Sequence, residues 1–192
     1  MASPGVTDLL QRLQRALPHV GKWIDDLHAR HVSESIRASE VGFPRLAACF
    51  PADLLEITRV VSVGTIPFPP VYAYGLPEFE AMANMPMAGI TFGDMYFIQP
   101  SYSSEGIHFH ELVHVVQWRI LGAREFLLTY ALGLVQFGYV ASPLEAIAFD
   151  LQERFEQGTA LPSVAERIAR HAVGAREAAS TVFRAHGLEL GG

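Results

Sequence analysis

Ile107-His108-Phe109-His110-Glu111-Leu112-Val113-His114-Val115-Val116-Gln117-Trp118 contains the pattern H-E-x-x-H, and the fold of the chain turns on whether this stretch is a helix. On a helix, residues four apart stand one above the other, so the imidazoles of His110 and His114 can meet one metal ion. Glu111 then stands one step round, beside the ion rather than on it, where a general base belongs. His108, two residues before His110, falls on the other side and reads as a polar core or surface residue.

The flanks agree with a helix. Ser103 or Ser104 can cap its start and Gly122 can close it as a C′ residue. Val113, Val116 and Ile120 form a second apolar stripe, expected to lie on a sheet. Just upstream, Ile90-Thr91-Phe92 and Met95-Tyr96-Phe97-Ile98 flank Gly93-Asp94, which predicts a hairpin with a two-residue turn, ended by Pro100. A strand in that place could offer backbone hydrogen bonds to an extended peptide.

Two histidines do not make a catalytic zinc site, which needs three protein ligands and one open position. Glu145 is the best third ligand, on the next helix, which Ser142 as N-cap and Pro143 at N1 announce. The same glutamate completes Ser142-x-x-Glu145, so a capping box would also account for it. Asp150 and Glu153 stand in reserve.

Further out, Thr7 predicts the cap of a first helix with Leu9, Leu10, Leu13 and Leu17 inward and Pro18 at its end. Trp23, Ile24, Leu27 and Ile36 predict a second helix closing near Gly42 and Pro44. On it Asp25, Asp26, His28 and His31 cluster, and with no third ligand at a recognised spacing they read as a solvated polar face. Residues 57–63 are β-branched and alternate as a strand does, and Ile66-Pro67-Phe68-Pro69-Pro70 reads as an extended crossing. Met82, Met85 and Met87 read as gap-filling side chains or as a groove wall. Ser163-Val164-Ala165-Glu166 predicts a capping box opening a last helix, with Val164, Ile168, Ala172, Ala175, Ala179, Val182 and Phe183 inward and Gly187 as its stop.

The whole sequence sets limits. The 192 residues are half hydrophobic and carry a net charge of -6. No basic stripe exists for nucleic acid, so that class of partner is not expected. Cys49 is the single cysteine, which leaves no internal disulfide and no cysteine-based zinc site, and it reads as a small core residue. The amino terminus lacks the basic start and apolar run of a signal peptide, so the chain reads as cytoplasmic, with export by a signal-independent route open. The most membrane-like piece, Phe126 to Ala141, has no charge but falls short of the ~20 residues of a bilayer span, and reads as a buried helix. The sequence does not speak to oligomeric state.

The run His110-Glu111-Leu112-Val113-His114-Val115-Val116-Gln117, followed by Ser142-Pro143-Leu144-Glu145-Ala146-Ile147-Ala148, resembles the compact bacterial gluzincin-type zinc metallopeptidases, among them domains with H-E-L-x-H-V-x-Q and a later N-P-x-E-x-E-A pattern. The resemblance covers roughly residues 89–156. It implies Zn²⁺ held by His110, His114 and Glu145, Glu111 as general base, and a peptide or protein as substrate. Two positions depart from the pattern: Phe149 stands where an aspartate often orients a histidine, and Ile147 where relatives often have glutamate. The expected fold is α+β and mainly helical, a zincin-like arrangement in a single domain over 1–192. A helical N-terminal layer covers 1–50, the core with its hairpin packed on the H-E-x-x-H helix 51–160, and a C-terminal helix 161–192. Tyr96, Tyr102, Tyr130 and Tyr139 are candidates to stabilise an oxyanion. The rival expectation is a binding or scaffold module, a retired peptidase in which zinc is structural. A membrane-surface protein using Phe126 to Ala141 is the weaker third.

Overall fold

The H-E-x-x-H stretch is helical and lies at the centre of the molecule. In the computed structural model, which describes residues 4–191, helix α5 (Glu105–Phe137) starts where the Ser104 hydroxyl accepts a hydrogen bond from the Ile107 amide at 3.3 Å. Every residue from His108 to Trp118 is buried. Gly122 interrupts the helix with φ 71° and ψ 165°, a conformation essentially confined to glycine. The expected stop is therefore real, but a second helical run follows at once, and Trp118 stacks on Phe126 across the break with ring centroids 4.2 Å apart. Val113 and Val116 pack with Tyr96 and Ile98 as expected. Ile120 does not join them and is 46% exposed, because the buried side passes to Leu121 and Phe126 at the break.

The sheet that α5 packs against has four strands in the order β1-β2-β4-β3. They are β1 (Ile36–Arg37), β2 (Arg59–Ser62), β3 (Gly89–Phe92) and β4 (Met95–Ile98). β2 and β4 run parallel with Arg59 opposite Met95, whereas β3 and β4 form the predicted hairpin with Phe92 opposite Met95. Gly93 takes φ 67° in its turn, as the two-residue connection demands. β4, inside the sheet, is buried at every residue, which is why its sequence is a continuous apolar run. β3 is at the edge, and no further strand pairs with it among the described residues.

Several expectations for the first sixty residues are corrected. Pro18 does not end the first helix: α1 runs unbroken from Pro4 to His31. Pro18 is exposed while Leu10, Leu13, Ala16, Val20, Ile24 and Leu27 are all buried. An interior proline costs about 3 kcal/mol, and six buried side chains at roughly 1.5–3 kcal/mol for each larger one outweigh it. Ile36 belongs to β1, paired with Val60, rather than to a second helix. Ile57 is the last residue of α3 (Ala52–Ile57), not the first of a strand, and Thr58 closes that helix by donating its hydroxyl to the Leu54 carbonyl at 2.7 Å. A short α2 (Pro44–Cys49) precedes it, with Cys49 half-buried against the core and its thiol pKa raised by that burial.

Two further helices follow the short α4 (Glu80–Ala83): α6 (Pro143–Glu156) and α7 (Val164–Ala185). Phe109 of α5 stacks on Phe155 of α6 at 4.4 Å. α7 adds Val164, Ile168, Ala172, Ala179 and Phe183 to the core, in the predicted stripe, with Ala175 and Val182 partly buried beside them. Its capping box is absent, because Ser163 is left-handed (φ 50°) and makes no cap bond among the described residues. The result is α+β and mainly helical, with one small mixed sheet. By length and composition α5 is apolar enough to cross a membrane, and a third of its most apolar window is buried inside the fold.

Candidate metal centre

His110 and His114 face each other one turn apart, with their Nε2 atoms 3.1 Å from one another. Glu145, from the first turn of α6, meets both: its Oε2 is 3.4 Å from His110 Nε2 and its Oε1 is 3.5 Å from His114 Nε2. All three side chains are buried, Glu145 to 2% exposure. With one donor atom taken from each, the three lie within 4.8 Å of one another.

What the group is built for follows from its hydrogen bonds. His114 Nδ1 lies 2.8 Å from the Gln117 Oε1, and the Gln117 Nε2 donates to the Leu144 carbonyl at 2.8 Å. His110 Nδ1 lies 3.0 Å from the Gln152 Oε1, and the Gln152 Nε2 donates to Glu156 at 2.9 Å. In each case the amide's donor end is committed elsewhere, so its oxygen faces the ring and the proton of the neutral imidazole sits on Nδ1. Both Nε2 atoms therefore turn a lone pair toward the same point as a carboxylate. Glu145 Oε2 has no hydrogen-bond partner there among the described residues. Such a buried set, all acceptors, is satisfied by a cation. A tetrahedral ion with bonds of about 2.0–2.2 Å needs donor atoms roughly 3.3 Å apart; the two imidazole nitrogens, 3.1 Å apart, and the 3.4 Å from His110 Nε2 to Glu145 Oε2 meet this, while His114 Nε2 comes to 3.5 Å from the other carboxylate oxygen.

The titration of the pair shows that this point draws positive charge, so a proton on the imidazoles competes with a metal ion for it. Burial alone would raise the Glu145 carboxyl, but the facing His114 charge and the bonds from both imidazoles hold it well below the usual carboxylate range. Burial would lower His114, yet Glu145 outweighs it and raises the imidazole to about 9. Glu145 also sits at the N-terminus of α6, where the helix dipole favours negative charge.

Glu111 is 4% exposed and stands apart from the three donors. Thr91 donates its hydroxyl to Glu111 Oε2 at 2.6 Å, and a Cβ on Gly89 would come within 2.6 Å of Oε1. The edge strand thus grips one carboxylate oxygen and leaves room for the other. Burial raises the Glu111 carboxyl, against the lowering pull of His110 and His114. Tyr130 donates to Glu145 Oε1 at 2.5 Å, and Tyr139 lines the same cavity as Glu111, His110 and His114. Burial, and then Glu145, push both phenols far up, so both remain protonated donors.

Of the other candidates, His108 is a polar core residue, hydrogen-bonded through its two ring nitrogens to Tyr96 Oη and Ser103 Oγ. Tyr96 is thereby occupied elsewhere and Tyr102 is exposed. Asp150 pairs with Arg154 and Arg167, and Glu153 accepts from Gln157, so neither reserve ligand meets the histidines. His28 reaches the Phe92 carbonyl at 2.8 Å and Asp26 pairs with Lys22, with no metal cluster there among the described residues. The Ser142–Glu145 capping box is not formed: Ser142 makes no side-chain cap bond, and its buried hydroxyl lacks a partner among the described residues. Phe149, in place of an aspartate, packs its ring 4.8 Å from that of His110. Orientation of the histidines falls instead to Gln117 and Gln152, which spacing alone does not single out. Thr91, which holds Glu111 rather than a histidine, is a hydroxyl within an apolar strand, and that contrast is a sequence signal that could have marked it. Comparisons with models of known families, with curated proteins and with solved structures found no match to this chain.

Proposed function

We infer that the chain is a zinc-dependent peptidase of the gluzincin type on a zincin-like core, with His110, His114 and Glu145 as ligands. The observation that carries this is the cavity: the three donors, Glu111 and Tyr139 share its wall. A structural zinc site closes its coordination with protein atoms, whereas a catalytic one leaves a position open. Zinc supplies Lewis acidity, making water acidic near neutral pH and polarising a carbonyl.

The chain's own groups do the rest. Glu111, a stronger base for its burial, takes up the proton of the attacking water through the oxygen that Thr91 leaves free, and later delivers it to the leaving amine. Tyr130 is committed to Glu145, which leaves Tyr139 to donate a hydrogen bond to the oxyanion. Gln117 and Gln152 keep both imidazoles in the ligating tautomer. The backbone bond from Gln99 to Ala88 fixes the phase of the hairpin: Ala88, Ile90 and Phe92 address β4, and Gly89 and Thr91 turn their backbone groups to the open edge. An extended peptide pairs there beside Glu111.

The deciding experiment compares Glu111→Gln with His110→Ala in protein supplied with zinc. One zinc per chain, with peptide cleavage lost in Glu111→Gln and zinc retained, supports the peptidase. Metal-free wild type after zinc supplementation sinks it. A silent Glu111→Gln together with a His110→Ala that unfolds assigns the zinc a structural role in a scaffold module.

A further inference from the structure

The cavity beside the metal centre opens to solvent and has a volume of about 130 Å³. An apolar pocket of that order takes up a ligand the size of a benzene ring. Its polar side chains are Thr91, Tyr130, Tyr139, the indole N–H of Trp118 and the His110–Glu111–His114–Glu145 group. No Lys or Arg lines it among the described residues, so a charged substrate group seated there would be buried without a counter-ion. The far wall comes from outside the metal-bearing helices: Leu13 and Ala16 of α1, with Phe68, Phe79, Met82 and Met87 of the segment between β2 and β3. Rings and flexible thioethers adapt to apolar shapes of varied outline.

Resting on the peptidase reading, we propose that this chamber selects peptides with a large apolar side chain, of the Leu, Met or Phe class, beside the scissile bond. A peptide is favoured over a lone acyl chain because β3 serves twice. Its residues Gly89 to Phe92 line the chamber and also form the open strand edge. A strand paired on that edge directs alternate side chains to one face. α1 is then a specificity element as well as a scaffold.

Hydroxamates report on both layers, since the hydroxamate group seeks an open zinc position and the attached residue seeks the chamber. The test measures calorimetric binding to the zinc-loaded full chain for acetohydroxamate, octanohydroxamate, and dipeptide hydroxamates differing only in Gly, Asp, Leu or Phe. The Leu and Phe compounds are expected to bind at least about ten-fold tighter than the Gly and Asp ones. Ala16→Phe, which fills the chamber from α1, removes that advantage, with zinc content and circular dichroism as the check that the fold is kept. Equal binding of all four dipeptide compounds overturns the chamber's role and leaves the zinc site standing. A gain for octanohydroxamate with none for Leu or Phe overturns the peptide as occupant. No binding of any hydroxamate to zinc-loaded protein overturns this proposal and the peptidase reading together.

Discussion

Ser142-Pro143-Leu144-Glu145 and Ser163-Val164-Ala165-Glu166 follow the same local grammar, each a serine at a helix start with a glutamate three residues on. Neither forms a capping box, and the two glutamates go opposite ways. The Glu166 side chain is 73% exposed and touches Arg170 at 4.0 Å. Glu145 is buried against two imidazoles and a phenol. The start of α6 is held close against α5: the Leu144 carbonyl accepts from Gln117, and a Cβ on Gly133 would come within 2.7 Å of the Ser142 hydroxyl. The start of α7 has no comparable anchor at Ser163 among the described residues. A local signal is thus overridden where tertiary contacts claim the glutamate, and is merely weak where nothing does.

The sharpest way to break the contrast is to remove both glutamates separately. Glu145→Ala is expected to lower zinc affinity by roughly 10³-fold or more, since one of three donors and the site's charge disappear. Glu166→Ala should leave affinity unchanged and shift stability by no more than about 0.5 kcal/mol. Competition with a chromophoric chelator and a urea titration read the two quantities. Equal effects from the two variants would mean that Glu145 is no ligand.

Next in size, Gln117→Leu frees both the His114 ring and the first turn of α6, so zinc affinity should fall about 10- to 100-fold with the helix content kept. Circular dichroism beside the chelator assay separates the two. Unaltered affinity would show that Gln117 serves the Leu144 carbonyl alone.

The difference between satisfied and orphaned buried groups extends to His108. Burial lowers its pKa from 6.5 to about 4, so it is neutral in the fold and charges more readily when unfolded. The stability it lends is fully present above about pH 6.5 and is lost as pH falls toward about 4. Thermal melts from pH 7 to 4.5 should therefore fall more steeply for wild type than for His108→Gln. Parallel curves would contradict the shift.

Smallest of all, Ser142→Ala should cost under about 0.5 kcal/mol in a denaturant titration, because the hydroxyl makes no bond among the described residues. A true N-cap would cost about 1 kcal/mol, and a loss of that size would restore the capping role.

Where periodicity is strong and burial one-sided, the sequence was readable. His110 and His114, the 90–98 hairpin and the α7 stripe each depend on contacts near in sequence, or on a pattern that a single face imposes. Pro18 misled because a local penalty was weighed without the apolar stripe that continues past it on the opposite side. Ile57 misled because β-branched residues suit a strand, while the turn at Pro51 had already committed them to a helix. In the site, Glu145 could be named but not freed from its capping role, since only the tertiary position of α6 decides between them. Gln117, Gln152 and Gly89 were beyond reach for a similar reason: what an amide orients, or what space a missing side chain leaves, depends on which atoms arrive from elsewhere.

The break at Gly122 bears on how the site comes together in time. One residue reverses the local course of the chain, so His110, His114, Tyr130 and Glu145 all come from consecutive stretches of it. Loop-closure entropy grows only with the logarithm of the enclosed length, and contacts near in sequence form fast. The three donors of the candidate metal site are thereby brought together by α5 and α6 alone, with no ligand drawn from the N-terminal helix.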